Sequence, residues 1–174
     1  MSKLRYPVKR LVVPERLGKI ANGKLPRRLL RKTKAGGLLY TTAAKSFNEM
    51  FDAAKADGIT LVLTGNGYRS YEKQYQLFMD RYSLKYDGRN PMVTRRFDGR
   101  IYYLKKGKSP SATPGTSNHG YGLAVDINVH DPKVFAWLDK NAPKFGFYLQ
   151  GKPTRPDGTK NPEYEGWHWQ KVDG

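Results

Sequence analysis

Histidine is scarce in this chain, and two of its three copies stand in short motifs that also carry acidic residues. The first motif is Ser117-Asn118-His119-Gly120-Tyr121-Gly122-Leu123-Ala124-Val125-Asp126, and the second is Glu165-Gly166-Trp167-His168. Two imidazoles and one carboxylate suffice to hold one Zn²⁺ and leave the fourth tetrahedral position open to water, as metal-assisted hydrolysis requires. Glu165 is then spare and can serve as base. The third histidine, His130, directly precedes Asp131-Pro132 at a helix start and reads as structural or exposed.

The elements that must position these groups can be read from periodicity. From Leu123 to Val129 the chain alternates, with Leu123, Val125, Ile127 and Val129 on one face and Ala124, Asp126 and Asn128 on the other, which predicts a half-buried strand. Asp126 therefore points away from the apolar layer. His119 precedes that strand in a stretch broken by Gly120 and Gly122, where the backbone can turn sharply enough to return an imidazole to the carboxylate. Glu165 and His168 are three residues apart, so either a helical turn or a bent strand end presents both to one cleft.

The pattern S-x-H-x-x-G-x-A-x-D followed by E-x-W-H resembles the zinc D-alanyl-D-alanine peptidase family, which includes vancomycin-resistance D,D-peptidases and the L-alanyl-D-glutamate peptidases of phage endolysins. Upstream, Gly67-Tyr68-Arg69-Ser70-Tyr71-Glu72-Lys73-Gln74 is similar to that family's Y-R-S-x-x-x-Q segment, so the likeness runs from about Thr41 to Trp169. The resemblance implies that His119, Asp126 and His168 bind one zinc ion and that Glu165 is the general base. It further implies that Arg69 steadies the substrate carbonyl or the developing oxyanion, that Ser117 belongs to the substrate pocket or supports a metal ligand from behind, and that Trp167 forms a wall of the cleft. Taken alone, Arg69 could pair with a surface carboxylate, Ser117 could cap the turn after Pro114-Gly115, and Trp167 and Trp169 could be core aromatics.

Zero cysteines remove disulfides, thiolate metal sites and cysteine nucleophiles from consideration. No apolar run approaches membrane-spanning length, and the N-terminal residues lack the apolar segment of a secretory signal. The expectation is a protein made in the cytoplasm that acts on the bacterial wall after membrane permeabilisation. Lys and Arg number 32 against 15 acids, a net charge of +17, and residues 1–40 hold twelve basic residues against the single acid Glu15. Such an excess calls for a polyanionic partner. Nucleic-acid recognition motifs are absent, and the anionic polymers of a bacterial wall are the simpler match, with a merely solvated basic face as the bland alternative.

Thr41 or Thr42 can cap a helix with Ala44, Phe47, Phe51 and Ala54 at helical spacing, ending at Gly58. Ile59 to Leu63 reads as a strand, and Ser70 as the cap of a second helix through about Tyr82, with Tyr71, Tyr75 and Phe78 inward. Val93 to Leu104 reads as a hairpin turning at Asp98-Gly99, and a third helix starts at Asp131-Pro132 and stops near Gly146. The expected fold is α+β, with a small antiparallel sheet carrying the zinc site and about three helices around it. Residues 1–37 form a basic arm packed on a catalytic domain of residues 38–174. The expected activity is that of a monomeric zinc peptidase cleaving peptidoglycan stem peptides, foremost a phage endolysin of the L-alanyl-D-glutamate type. D-alanyl-D-alanine carboxypeptidase is the alternative, and a non-catalytic wall- or nucleic-acid-binding module is the rival from another class.

Overall fold

In the computed structural model, which describes residues 3–172, the chain begins with α1 (Glu15–Gly18), β1 (Leu30–Lys32), β2 (Leu38–Tyr40) and α2 (Thr41–Ala56). It continues through α3 (Tyr71–Arg81), β3 (Tyr82–Ser83), β4 (Thr94–Phe97) and β5 (Arg100–Leu104). The last elements are β6 (Ala124–Asp126), α4 (Pro132–Asn141), β7 (Phe147–Leu149) and β8 (His168–Lys171). The fold is α+β, as expected: three small antiparallel sheets and three main helices, α2, α3 and α4.

The sheet that matters most has the order β6-β8-β7. Its apolar face is supplied by Val125, Trp169, Phe147 and Leu149, all fully buried, and α2 closes over it with Ala43, Phe47, Met50 and Ala54. Phe47 meets Phe147 edge to face at 6.2 Å, and Phe135 of α4 lies 6.0 Å from Trp169. Helix α2 is thus amphipathic because its buried positions recur every three or four residues. Phe47→Ala removes a fully buried ring from the centre of this layer. The expected result is a loss of about 3–5 kcal/mol in stability, read from the shift of a urea unfolding curve.

A second apolar cluster, Phe78, Tyr82, Val93, Tyr102 and Leu104, lies between α3 and the sheet β3-β5-β4. The hairpin turns at Asp98 (φ 51°) and Gly99 (φ 71°), two left-handed residues, as a two-residue loop between right-twisted strands demands.

Several expectations need correction. Tyr40, not Thr41 or Thr42, holds the N-cap of α2, without a side-chain hydrogen bond; Thr41 is already helical and donates its hydroxyl to Leu29 O at 3.1 Å. Residues 59–63 form no strand: only Leu63 makes a bridge, antiparallel to Ile127, because the segment meets its neighbour at a single point. The strand expected over 123–129 is regular only at Ala124–Asp126. Ser70 does cap α3, accepting from Lys73 N at 3.2 Å, but Tyr75 on that helix is 43% exposed and the buried positions are Gln74 and Phe78.

The N-terminal segment lies along β7. Val8 pairs with Leu149 in a parallel bridge, Leu149 N donates to Pro7 O at 2.8 Å, and the buried Asp139 accepts from Arg5 N (2.9 Å) and Tyr6 N (2.7 Å). Further along, Gly23 N donates to Gly120 O at 2.9 Å, so this segment also touches the turn that carries His119.

Candidate metal centre and its cleft

Strand pairing does most of the assembly. In the β6–β8 register Asp126 stands directly opposite His168, so their side chains share one face of the sheet, opposite to Val125 and Trp169. His119 arrives from the 3₁₀ turn Asn118–Tyr121, which is capped by the buried Ser117 through His119 N at 3.2 Å. The turn ends at Gly122 in the left-handed region (φ 66°), where a Cβ would stand 2.7 Å from Tyr40 N. Only glycine permits that reversal this close to β2.

The result is a tight triad. His119 Nε2 is 3.2 Å and His168 Nδ1 is 3.5 Å from Asp126 Oδ1, and one donor atom from each of the three lies within 4.8 Å of the others. Both imidazoles are almost fully buried. Their tautomers follow from their outer partners. His119 Nδ1 lies 2.8 Å from Gly67 O, a carbonyl that can only accept, so Nδ1 carries the hydrogen and Nε2 turns a lone pair inward. His168 Nε2 lies 3.2 Å from Gln170 Oε1, whose amide nitrogen is committed to Lys9 O, so Nε2–H donates and Nδ1 faces inward bare. Asp126 Oδ1 is itself buried without a hydrogen-bond partner.

Three lone pairs converging on one point with no proton between them are what a divalent cation satisfies and what a hydrogen-bonded cluster would avoid. The nitrogen and oxygen donors suit zinc. The electrostatics of His119 agree in direction. Burial pushes the His119 imidazolium down, and the Asp126 carboxylate restores only part of that, so His119 favours the neutral form that binds metal. Burial also opposes charge on His168, but Asp126 and Glu165 outweigh it and raise this group. For Asp126 burial alone would raise the carboxyl, yet the two adjacent imidazoles hold it far below the usual carboxylate range.

Glu165 stands in the turn that enters β8, with His168 N donating to its carbonyl at 3.3 Å. A single hydrogen-bonded turn at the entry to β8 is therefore what presents Glu165 and His168 together. Its Oε2 is 3.9 Å from His168 Nδ1, farther from that nitrogen than Asp126 Oδ1 is. Burial, helped by the Asp126 charge, raises the Glu165 carboxyl above its ordinary value, a shift toward the pH at which a general base works best.

Arg69 completes the group. Its backbone N–H donates to His119 O at 3.0 Å, Nη1 donates to Gln74 Oε1 at 2.8 Å, and Nη2 lies 3.6 Å from Asp126 Oδ2. Gln74 is buried and anchored in turn to Ala112 O at 2.7 Å, so the guanidinium is held in place rather than free to sweep the cleft. His119, Asp126, His168, Glu165 and Arg69 line one cleft of about 1090 Å³, together with Lys73, Arg81, Arg95, Ser117 and Trp167. Its wall is cationic, although Arg95 is paired with Glu163.

The structure thus brings His119, Asp126, His168, Glu165, Arg69, Ser117 and Trp167 into one cleft. Trp169 is fully buried beneath the sheet, while Trp167 is 36% exposed at the cleft. His130 lies apart, in a shallow recess with Gly58, Thr60 and Asp131. His130→Ala should therefore leave metal content and turnover within about twofold of the parent. Sequence reasoning missed Gln170, Asn118 and Lys9, which orient His168 from behind, and left Gln74 without a role. Gln74 was visible in the Y-R-S-x-x-x-Q spacing, which puts it one helical turn after Ser70 and facing Arg69.

The VanY family, described as D-alanyl-D-alanine carboxypeptidase, matches residues 37–173. The chain is 35% identical over 135 residues to a D-alanyl-D-alanine carboxypeptidase of Enterococcus faecalis, covering 71% of this chain and 44% of that protein. It resembles the zinc-bound crystal structure of a mutant vancomycin-resistance D,D-pentapeptidase VanY from the VanB-type cassette (28% identity, TM-score 0.55, 85% of this chain and 82% of that one). It also resembles the LdcB LD-carboxypeptidase (29% identity, TM-score 0.55, 98% of this chain and 71% of that one). The chain spans under half the length of the curated relatives it matches.

Proposed function

Because the chain belongs to the VanY D-alanyl-D-alanine carboxypeptidase family, we propose that it is a zinc carboxypeptidase that removes the C-terminal D-amino acid from peptidoglycan stem peptides. The observation that carries the reading is the convergence of metal-facing donors from His119, Asp126 and His168 beside a spare Glu165, in a cleft with a cationic wall.

Zinc, when bound there, supplies Lewis acidity that eases the loss of a proton from water near neutral pH and polarises a carbonyl. Glu165 accepts the proton that water loses as it attacks the scissile carbonyl, then delivers it to the leaving amine. Arg69, locked by Gln74, steadies the carbonyl oxygen as negative charge develops on it; one such group is typically worth about 2.7–4 kcal/mol. Ser117 and Trp167 form part of the substrate wall, and Lys73, Arg81 and Arg95 offer cationic partners to the terminal carboxylate of the peptide.

That last feature, and the carboxypeptidase activity named for the relatives, favour removal of a terminal residue over the internal L-alanyl-D-glutamate cleavage of a phage endolysin. Mass spectrometry of defined stem peptides after digestion tests the choice. The expected product is a stem peptide shorter by one C-terminal D-alanine. Release of an intact peptide from its N-terminal L-alanine would restore the endopeptidase reading instead.

The basic N-terminal residues are proposed to hold the protein on anionic wall polymers. Their pull must then weaken as the Debye length falls from about 10 Å at 0.1 M salt to about 3 Å at 1 M. Charge-neutralised variants of Lys3, Arg5, Arg10 and Arg16 should sediment less with purified walls at low salt, yet cleave a small soluble peptide at the parent rate. Retention by duplex DNA but not by walls, at matched ionic strength, would assign the charge to nucleic acid.

A further inference from the structure

His168 owes its tautomer to Gln170, and Gln170 is held by a segment that precedes the family match at residue 37. Gln170 follows His168 by two residues on β8, so the period of the strand puts both side chains on one face. It is 1% exposed, and all of its side-chain polar atoms are engaged. Oε1 lies 3.2 Å from His168 Nε2 and accepts from Asn118 Nδ2 at 2.7 Å, while Nε2 donates to Lys9 O at 2.8 Å.

The Lys9 carbonyl is in turn fixed by backbone. Lys9 N reaches Leu149 O at 3.3 Å, Val8 bridges Leu149, and Leu149 N donates to Pro7 O at 2.8 Å. A flipped Gln170 amide would set its oxygen against the Lys9 oxygen and its NH₂ against both the Asn118 NH₂ and the His168 N–H. The strap of residues 5–9 therefore permits one orientation only. Asn118 is the neighbour of His119, so a single amide touches both the turn that supplies His119 and the ring of His168.

We propose that Gln170 is a positioning residue of the metal centre: the Lys9 carbonyl fixes its amide, and the amide holds His168 with Nδ1 aimed at Asp126. The inference rests on reading His119, Asp126 and His168 as the zinc triad. It goes beyond that reading by making residues ahead of the family match part of the site's support.

The test measures zinc dissociation constants of the full chain by competition with a chromophoric chelator, with circular dichroism melts of the metal-free proteins alongside. Gln170→Leu removes the acceptor and should weaken zinc binding by about 10–100-fold. It should lower kcat while leaving KM near the parent value, since Gln170 does not touch the cleft. Gln170→Glu presents an acceptor to His168 whichever way it rotates, and should restore parent zinc affinity even if the strap loosens and the melting temperature falls. A merely structural role would instead make zinc affinity follow the melting temperature in both variants. A folded Gln170→Leu protein with parent affinity overturns the positioning role. So does a folded Gln170→Glu protein that binds zinc tenfold more weakly, which remains decisive if the leucine variant does not fold. A parent protein that binds no zinc overturns the triad reading and this inference together.

Discussion

Glu165→Gln is expected to bind zinc about as tightly as the parent while losing on the order of 10²–10⁴ in kcat. The substitution keeps the size of the side chain and its place in the turn before β8, but an amide cannot accept a proton. Zinc should stay because Glu165 is not one of the three residues whose donor atoms converge. The loss corresponds to about 2.7–5.5 kcal/mol of barrier, larger than a typical single hydrogen bond and in the range of a missing proton acceptor. Steady-state rates on a stem peptide, with zinc content measured on the same sample, check it. Near-parental turnover in a zinc-loaded Glu165→Gln protein would remove Glu165 from the mechanism.

Chelation is expected to strip one zinc ion per chain, to abolish hydrolysis and to lower thermal stability together, with all three restored by added zinc. Binding only to the folded state stabilises it by about 2.7 kcal/mol at a free zinc concentration one hundred times Kd. For a chain of this length that is a Tm rise of roughly 5–11 °C. The physical source is the inward lone pairs of His119 Nε2, His168 Nδ1 and the otherwise unpartnered Asp126 Oδ1. Elemental analysis without a tightly bound transition metal, alongside hydrolysis that resists chelator, would sink the prediction.

The two predictions separate the centre into parts that fail independently. Removing the base leaves a folded, metal-loaded and slow protein; removing the metal leaves an intact base with nothing to act on. His130→Ala supplies the contrast, since that histidine faces a different recess.

The residues that meet at the candidate centre were legible in the sequence because their types and local spacing are short-range properties. Alternation through Leu123, Val125 and Ile127 put Asp126 on the polar face of its strand, and glycines at 120 and 122 marked the turn that returns His119. Amphipathic periodicity found α2, the Asp131-Pro132 cap found the start of α4, and turn chemistry found the hairpin at Asp98-Gly99, because each follows from residues within a few positions of one another. Boundaries and caps were read less well. Tyr40 takes the N-cap of α2 because β2 ends on it in an extended backbone and the helix starts directly after it, at Thr41. Tyr75 stays 43% exposed with its ring edge on Phe97, because the positions of α3 that turn into the protein are Gln74 and Phe78.

What the tertiary structure alone decided is how groups far apart in the chain meet. The register that sets Asp126 opposite His168 joins residues separated by the whole of α4 and β7. The lock of Gln74 on Arg69 needs α3 to start beside the His119 turn. The hold of Lys9 on Gln170, and through it on His168, spans nearly the entire chain. Sequence periodicity carries the face on which a side chain stands but not the partner it will find there. That partner is set by which apolar faces pack together, and packing is a property of the whole chain, so the donor atoms were readable as residues while their convergence and orientation were not.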